Sequence, residues 1–344
     1  MKFKLLVLNN GIALATHTPI VRAKSELAEY GYQFVDDNYD ILIINFSLIP
    51  KDIHYNSFLK RVGDDSSPII IFNEQVSAGK LNFWHLTQER VIGYTKLCLL
   101  KDMDLYKFKI PYYHYHLMSS IYKEPQELVS KNYWSESLSQ KVHLGWNLGL
   151  YNFFTKFEPD FNIERPIDIH FSIGLAPFYE SDQYYELHRN HFVSEVRKVV
   201  EKYKFTTSGQ CGVVARKYPI QKSGEDKKYH FLMRHSKVCI SPLGDGELCW
   251  RDFEAIIHGA ILIKPEIPYI ETWPDIYKPM ETYIPVKWDL SDFEETIFKV
   301  INNYSEYKYI TINAYQILKE ALDNRVFAKR FDGTMKKILD GKEN

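Results

Sequence analysis

Apolar residues along this chain fall into short unbroken runs separated by helical stretches, the pattern of strands in a parallel sheet covered on both faces. Phe3 to Leu8 predicts a first strand, followed by Asn9-Asn10-Gly11. Thr18 then caps a helix with Pro19 in its first turn and Gly31 just beyond its end. Tyr39 to Phe46 and Pro68 to Asn73 are two further strand-like runs rich in β-branched residues. Strands alternating with helices imply right-handed crossovers, and ligands collect beyond the carboxyl ends of such strands. Asn9, Asn10, Gly11, Asn45, Asn73 and Glu74 are expected on that rim.

From about Lys107 to Phe161 the pattern gives way to aromatic and polar sequence, and a domain connection is expected near its end. A second series opens with a strand from Ile167 to Gly174 and a helix from Tyr184 to Tyr203. Lys237 to Pro242 predicts a strand, and Cys249 to His258 a helix with Phe253, Ile256, Ile257 and Ala260 at i, i+3, i+4 and i+7. Gly259 stops that helix, and Ala260 to Pro265 is the next buried strand. Ser291 and Glu294 predict a capping box, and helical sequence runs from about Tyr309 to Leu339. The fold class expected is α/β, with two Rossmann-like domains over residues 1–160 and 161–325 and a helix and tail over 326–344. A length of 344 residues agrees, since it exceeds what one hydrophobic core comfortably fills.

Composition narrows the function classes. Forty-three Lys and Arg nearly cancel 44 Asp and Glu, so no global field draws the chain to nucleic acid, and any anion site must be local. No nucleic-acid partner is therefore expected. The four cysteines, Cys98, Cys211, Cys239 and Cys249, show no zinc spacing and suit buried thiols in a reducing compartment. The N-terminus reads as a strand instead of a signal peptide, and no apolar run approaches the roughly 20 residues that cross a bilayer. A cytoplasmic protein is expected, with peripheral membrane association left open. Aromatics make up 15% of the chain, a composition that suits stacking on sugars as well as packing.

The chemistry concentrates in Ser241-Pro242-Leu243-Gly244-Asp245-Gly246-Glu247, which follows a buried strand and precedes a helix. Gly244 and Gly246 permit close backbone approach, and free amides at a helix N-terminus favour a phosphate or diphosphate. The segment lacks the Gly-Lys-Ser/Thr ending of a Walker loop and the third glycine of a dinucleotide fingerprint. Arg251 and Glu254, three residues apart, share a helix face. A carboxylate there accepts two ribose hydroxyls and a guanidinium pairs with phosphate, while the bland reading is an intrahelical ion pair contributing about 0.3 to 0.5 kcal/mol.

On those residues the stretch 238–265 resembles the donor-site region of GT-B glycosyltransferases, most closely exostosin-like enzymes. The shared pattern is a strand ending in Ser241-Pro242, a glycine-rich acidic loop, Arg251, Phe253-Glu254-Ala255, an apolar pair, Gly259 and a strand. The resemblance implies that Glu254 holds the donor ribose and that the Gly244–Gly246 loop faces the diphosphate. Glu247 matches the earlier glutamate of the paired-glutamate families, but it stands seven positions before Glu254, one fewer than those families use. Asp245 is then the candidate functional acid. His188-Arg189, after the Ile167–Gly174 strand, matches where exostosin-like chains place an arginine for the donor phosphates.

The function implied is metal-independent transfer of a sugar from a nucleotide diphosphate sugar to a glycan or glycolipid hydroxyl, with no cofactor beyond the donor substrate. Ser241, Gly244, Gly246, Glu247, Arg251, Glu254, Arg189 and Lys264 are the donor-site candidates. His17, Glu74 and Asp245 are the catalytic candidates, His17 and Glu74 as bases on an acceptor hydroxyl. Asp102-Met103-Asp104 has the form of a metal motif but falls in the acceptor half, and Arg216-Lys217 and the Glu271–Asp275 stretch are secondary candidates. An epimerase or hydrolase of the same fold, or a noncatalytic carbohydrate-binding protein, remains an alternative.

Overall fold

The computed structural model describes residues 1–6, 16–45, 57, 59–60, 66–108, 134–149, 158–174, 183–209, 211–212, 227–244 and 246–341. Six strands form the first sheet: β1 (Lys2–Leu6), β2 (Gln33–Phe34), β3 (Ile41–Asn45), β4 (Ile69–Asn73), β5 (Val91–Lys96) and, beyond β6 (Cys98–Leu100), β7 (Val142–Leu144). Their order is β2-β1-β3-β4-β5-β7, and every pairing is parallel. β3 and β4 are buried throughout, which is why they read as unbroken apolar runs. Their alternate residues go to opposite faces: Ile41, Ile43, Ile70 and Phe72 to one core, Leu42, Ile44, Ile69 and Ile71 to another.

The second sheet is built the same way. Among β8 (Ile167–His170), β9 (Ile173–Gly174), β10 (Thr207–Ser208), β11 (Cys211–Gly212), β12 (Ser236–Ile240) and β13 (Ile261–Pro265), four join it; β9 pairs with β11. With β15 (Ile284–Val286), which follows β14 (Ile270–Thr272), its order is β10-β8-β12-β13-β15, again parallel. The Gln183–Tyr203 helix covers one face with Phe192, Val196 and Val199. The other face carries the Trp250–His258 helix through Phe253, Ile256 and Ile257.

Two features bind the halves together. β6 of the first half pairs antiparallel with β14 of the second, and one apolar core runs from Leu97 and Cys98 to Leu243, Leu248 and Tyr277. The Asn324–Asp340 helix packs Phe327, Phe331, Met335 and Ile338 onto the first sheet, although the chain reaches it from the second half. Full burial of each such side chain stabilises by about 1.5 to 3 kcal/mol.

Several local expectations are corrected. Thr18 lies inside the first helix, which starts at His17 behind Thr16, breaks at Ala23 and resumes over Lys24–Glu29. The run from Ile167 to Gly174 splits into β8 and β9. No capping box forms at Ser291: Asp292 takes the N-cap position, Asp289 accepts from the Ser291 amide, and Glu294 instead accepts from Lys202 and Tyr203. The helical stretch after Tyr309 is two helices, Tyr304–Ala321 and Asn324–Asp340, because Asp323 caps the second through the amides of Arg325 and Val326. The proposed rim residues Asn9, Asn10 and Gly11 lie outside the described residues. No helix among the described residues is long and apolar enough to cross a membrane.

Candidate functional site

Ser241 continues the ladder of β12 through its amide to the Ile263 carbonyl, and the chain then turns toward the Trp250–His258 helix. The Gly244 amide closes this turn on the Gly246 carbonyl at 3.1 Å. Asp245 lies outside the described residues. Cys249 caps the helix and Gly259 ends it with φ +70°, a left-handed conformation that glycine adopts without strain.

The centre of this unit is a residue the sequence did not single out. Asp252 is fully buried and its carboxylate accepts from Ser241 Oγ and Lys264 Nζ, each at 2.5 Å, from Tyr277 Oη at 2.8 Å and from the Cys249 amide at 3.1 Å. Lys264 Nζ also donates to the Glu247 carbonyl at 2.7 Å. Ser241 and Lys264, both expected among the donor-site residues, thus each hold Asp252 in this structure. A buried ammonium at a strand end requires a counter-ion, and Asp252, in the first turn of the preceding helix, supplies it.

Glu247 and Gly246 meet the first half of the protein. Glu247 is fully buried, and one of its carboxylate oxygens accepts from the Ala78 amide of the first half at 2.9 Å. Burial raises its pKa, against the pull of the Ala78 amide and the ammonium groups of Lys96 and Lys264. A Cβ on Gly246 would collide with the backbone of Val76 and Ser77. The close approach that this glycine permits is thus to the neighbouring half of the protein. The Leu248 amide adds a bond to the Val76 carbonyl at 3.1 Å.

What stays at the mouth of this loop is Arg189, Gly244, Arg251 and Glu254. Arg189 reaches across from the Gln183–Tyr203 helix, donating to the Leu243 carbonyl at 3.3 Å, and a Cβ on Gly244 would meet it at 3.8 Å. Glu254 is 5% exposed and accepts from Tyr229 Oη at 2.8 Å. Burial raises its pKa, and the Tyr229 bond and Arg251 lower it. Arg251 shares its helix face but takes no ion pair with it among the described residues; its Nε is buried without a hydrogen-bond partner. His170, at the end of β8, packs edge-on to Tyr229 at 5.2 Å and holds a buried, unpartnered Nε2.

On the opposite rim Glu74 follows β4. One of its oxygens accepts from the Thr16 amide at 2.8 Å and the Thr16 hydroxyl at 2.7 Å, and Asn45 in turn donates to that hydroxyl at 2.9 Å. Glu74 and Asn147 of the first half share a cavity of about 40 Å³ with Cys249, Trp250 and Phe253 of the second. Trp250 is 45% exposed in the first turn of its helix, an uncovered ring beside a carboxylate. His17 is placed differently from the expected loop: it is the first residue of a helix and buried, with both ring nitrogens unpartnered. Burial pushes its pKa down to about 4, so the ring is neutral at pH 7.

The remaining candidates separate by position. Asp102 caps a short 3-10 turn by accepting from the Asp104 amide at 3.0 Å, and Arg216-Lys217 lies outside the described residues. Cys98 and Cys239 are buried thiols. Sequence reasoning missed Asp252, Tyr229, Trp250 and Asn147. Lys264 at the end of a buried strand was a signal for a hidden carboxylate nearby; Tyr229 and Asn147 gave none.

No family model and no characterised sequence matches the chain. Solved structures do. An alpha-glucosyltransferase in complex with UDP and a 13-mer DNA containing an HMU base matches 98% of this chain and 99% of its own at 11% identity and a TM-score of 0.51. The DNA-modifying enzyme beta-glucosyltransferase matches 99% and 100% at 12% identity and 0.49, and a glycosyltransferase from Rickettsia africae ESF-5 matches 98% and 98% at 9% and 0.44. The fold is that of GT-B glycosyltransferases. The expectation of no nucleic-acid partner is overturned, since a protein of this fold over nearly its whole length is bound to DNA. A net charge near zero averages over the surface and is silent about a local groove.

Proposed function

We propose that the protein transfers a sugar from a nucleoside diphosphate sugar to an acceptor hydroxyl. The observation that carries the reading is the pairing of Glu254 and Arg251 on one helix face behind β12. There a carboxylate oriented by Tyr229 stands beside a guanidinium whose Nε is buried and unpartnered. In this reading Glu254 accepts the ribose hydroxyls, while Arg251, Arg189 and the backbone at Gly244 take the diphosphate. The exostosin-like pattern over 241–260 supports the same assignment.

The bond between the anomeric carbon and the diphosphate oxygen breaks, its electron pair leaving on the diphosphate. A bond to the acceptor oxygen forms, and the acceptor proton passes to Glu74. The two arginines and the helix N-terminus supply the positive charge that the leaving group requires, so activity is expected to survive chelation of divalent metals. His17 stands behind Thr16 and Phe72 as a neutral support of this rim. Two acceptor classes suit the exposed Trp250 ring: a glycan or glycolipid hydroxyl, and a hydroxyl on nucleic acid, which a basic groove at the outer edge of the first sheet favours.

A thermal-shift screen of nucleotides and nucleotide sugars tests the reading. A ligand at 100 times its dissociation constant adds about 2.7 kcal/mol of stability. A shift with one nucleoside diphosphate family, lost in Glu254→Ala, is expected; no shift with any nucleotide sinks the proposal. Release of free sugar or an epimer without acceptor would instead favour a hydrolase or epimerase of this fold.

A further inference from the structure

Away from the cleft cavity, a groove of about 650 Å³ opens between β6, β14, the edge strand β7 and the Asn324–Asp340 helix. That size suits a small ligand or a short length of a chain. Lys101, Lys329, Arg330 and Lys337 line it against a single carboxylate, Glu271. In a chain of net charge -1 this is a strong local excess of positive charge. Lys329 and Lys337 are exposed and have no acidic partner among the described residues. They stand eight residues apart on one helix, about 12 Å along its axis. Arg330 donates to the Leu144 and Gly145 carbonyls at 2.6 and 2.9 Å, closing the open edge of β7, and lies 5.7 Å from the centre of the Trp273 ring.

Between these charges the walls are apolar: Met103, Leu144 and Val326 are half-buried and line the groove. The groove shares a wall with the cleft cavity. Leu97 lines the cavity and Leu99 the groove, while Asn147 of the cavity donates its amide to the carbonyl of Trp273 in the groove at 2.7 Å. Cations tracking a backbone beside apolar and aromatic walls are how proteins hold single-stranded nucleic acid. A flat lipid surface does not fit a concave site, and the dextran sulfate arm of the test below separates a nucleic-acid strand from an anionic glycan.

We propose that this groove binds a single strand of nucleic acid, its phosphates on Lys329, Lys337 and Lys101, and leads the strand's acceptor hydroxyl toward the cavity beside Glu74. The proposal rests on the transferase reading of the cleft and names its acceptor class.

Fluorescence anisotropy of a labelled 12-nucleotide DNA strand, titrated with the full chain from 50 to 200 mM salt, tests it. The double variant Lys329→Gln/Lys337→Gln is expected to make the slope of log K against log salt shallower by about 1.4 and to bind roughly 60-fold more weakly at 50 mM salt. Lys198→Gln/Lys202→Gln, at exposed positions of the Gln183–Tyr203 helix, is expected to bind as the wild type does. No binding by the wild type, equal losses in both variants, or equal displacement by dextran sulfate of matched charge overturns the proposal. The nucleotide thermal shift is read on the same samples. Its persistence alongside failed strand binding removes the groove alone, whereas its absence in the wild type removes the transferase reading.

Discussion

At the scale of single residues, the site depends on groups that hold other groups. Tyr229 touches Glu254 through one hydrogen bond of 2.8 Å, so Tyr229→Phe removes an orienting contact and little volume. Roughly fivefold weaker nucleoside diphosphate binding, equivalent to about 1 kcal/mol, is expected by calorimetry, with a lower melting temperature because a buried carboxylate loses its partner. Unchanged affinity would mean that Glu254 does not meet the ribose. His188 is a second case. It is fully buried beside Phe192 and Trp288 with both nitrogens unpartnered, and burial pushes its pKa down to about 3. The unfolded chain binds a proton near pH 6.5 that the folded ring refuses, so stability is lost as pH falls from about 6.5. His188→Phe fills the same space without the nitrogens. It is expected to melt no lower than the wild type at pH 7 and to recover on the order of 3 kcal/mol of the loss at pH 4. An unaltered acid profile would refute this account of His188. Glu254 and Arg251 were legible in the sequence because they share a helix face. Tyr229 was not, because its helix is 25 residues away and no local pattern points from one to the other.

At the scale of elements, the strand, loop and helix around residue 244 were legible and their purpose was only partly so. Two glycines in one loop suggested one role, yet the structure divides them. Gly244 has only the Arg189 guanidinium near its missing Cβ, at 3.8 Å, while Gly246 abuts the backbone at Val76 and Ser77. Gly244→Ala is therefore expected to fold normally. Gly246→Ala must push apart the contact between halves and is expected to lower the urea midpoint by an amount equivalent to about 1 to 3 kcal/mol. Equal stability of the two variants would show that the loop does not seat against the first half as described. Sequence periodicity marks which face of an element is apolar, but not which neighbour covers it. That is why the contacts that Ser241, Gly246, Glu247 and Lys264 make within the protein were not legible in a stretch read as donor-site candidates. The capping box at Ser291 failed for a related reason: Glu294 found partners on a helix remote in sequence, Lys202 and Tyr203.

At the scale of the molecule, two α/β series were legible from the alternation of apolar runs, and the way they join was not. A β-ladder between β6 and β14, a buried carboxylate on the Ala78 amide and a C-terminal helix lying on the first sheet make the halves depend on each other. Removal of residues 323–344 would bare Phe3, Ile43 and Phe72 on the first sheet, so the shortened chain is expected to aggregate or to lose its cooperative unfolding transition in calorimetry. A shortened chain that melts like the wild type would contradict the packing. The central claim is that the mouth formed by Arg189, Gly244, Arg251 and Glu254 takes a nucleoside diphosphate. Titration calorimetry of the full chain and of Glu254→Ala with UDP, GDP, ADP, CDP and dTDP tests it most directly. The account predicts saturable binding of at least one nucleotide by the wild type and at least a tenfold loss in the variant; equal binding by both proteins, or none by the wild type, would contradict it.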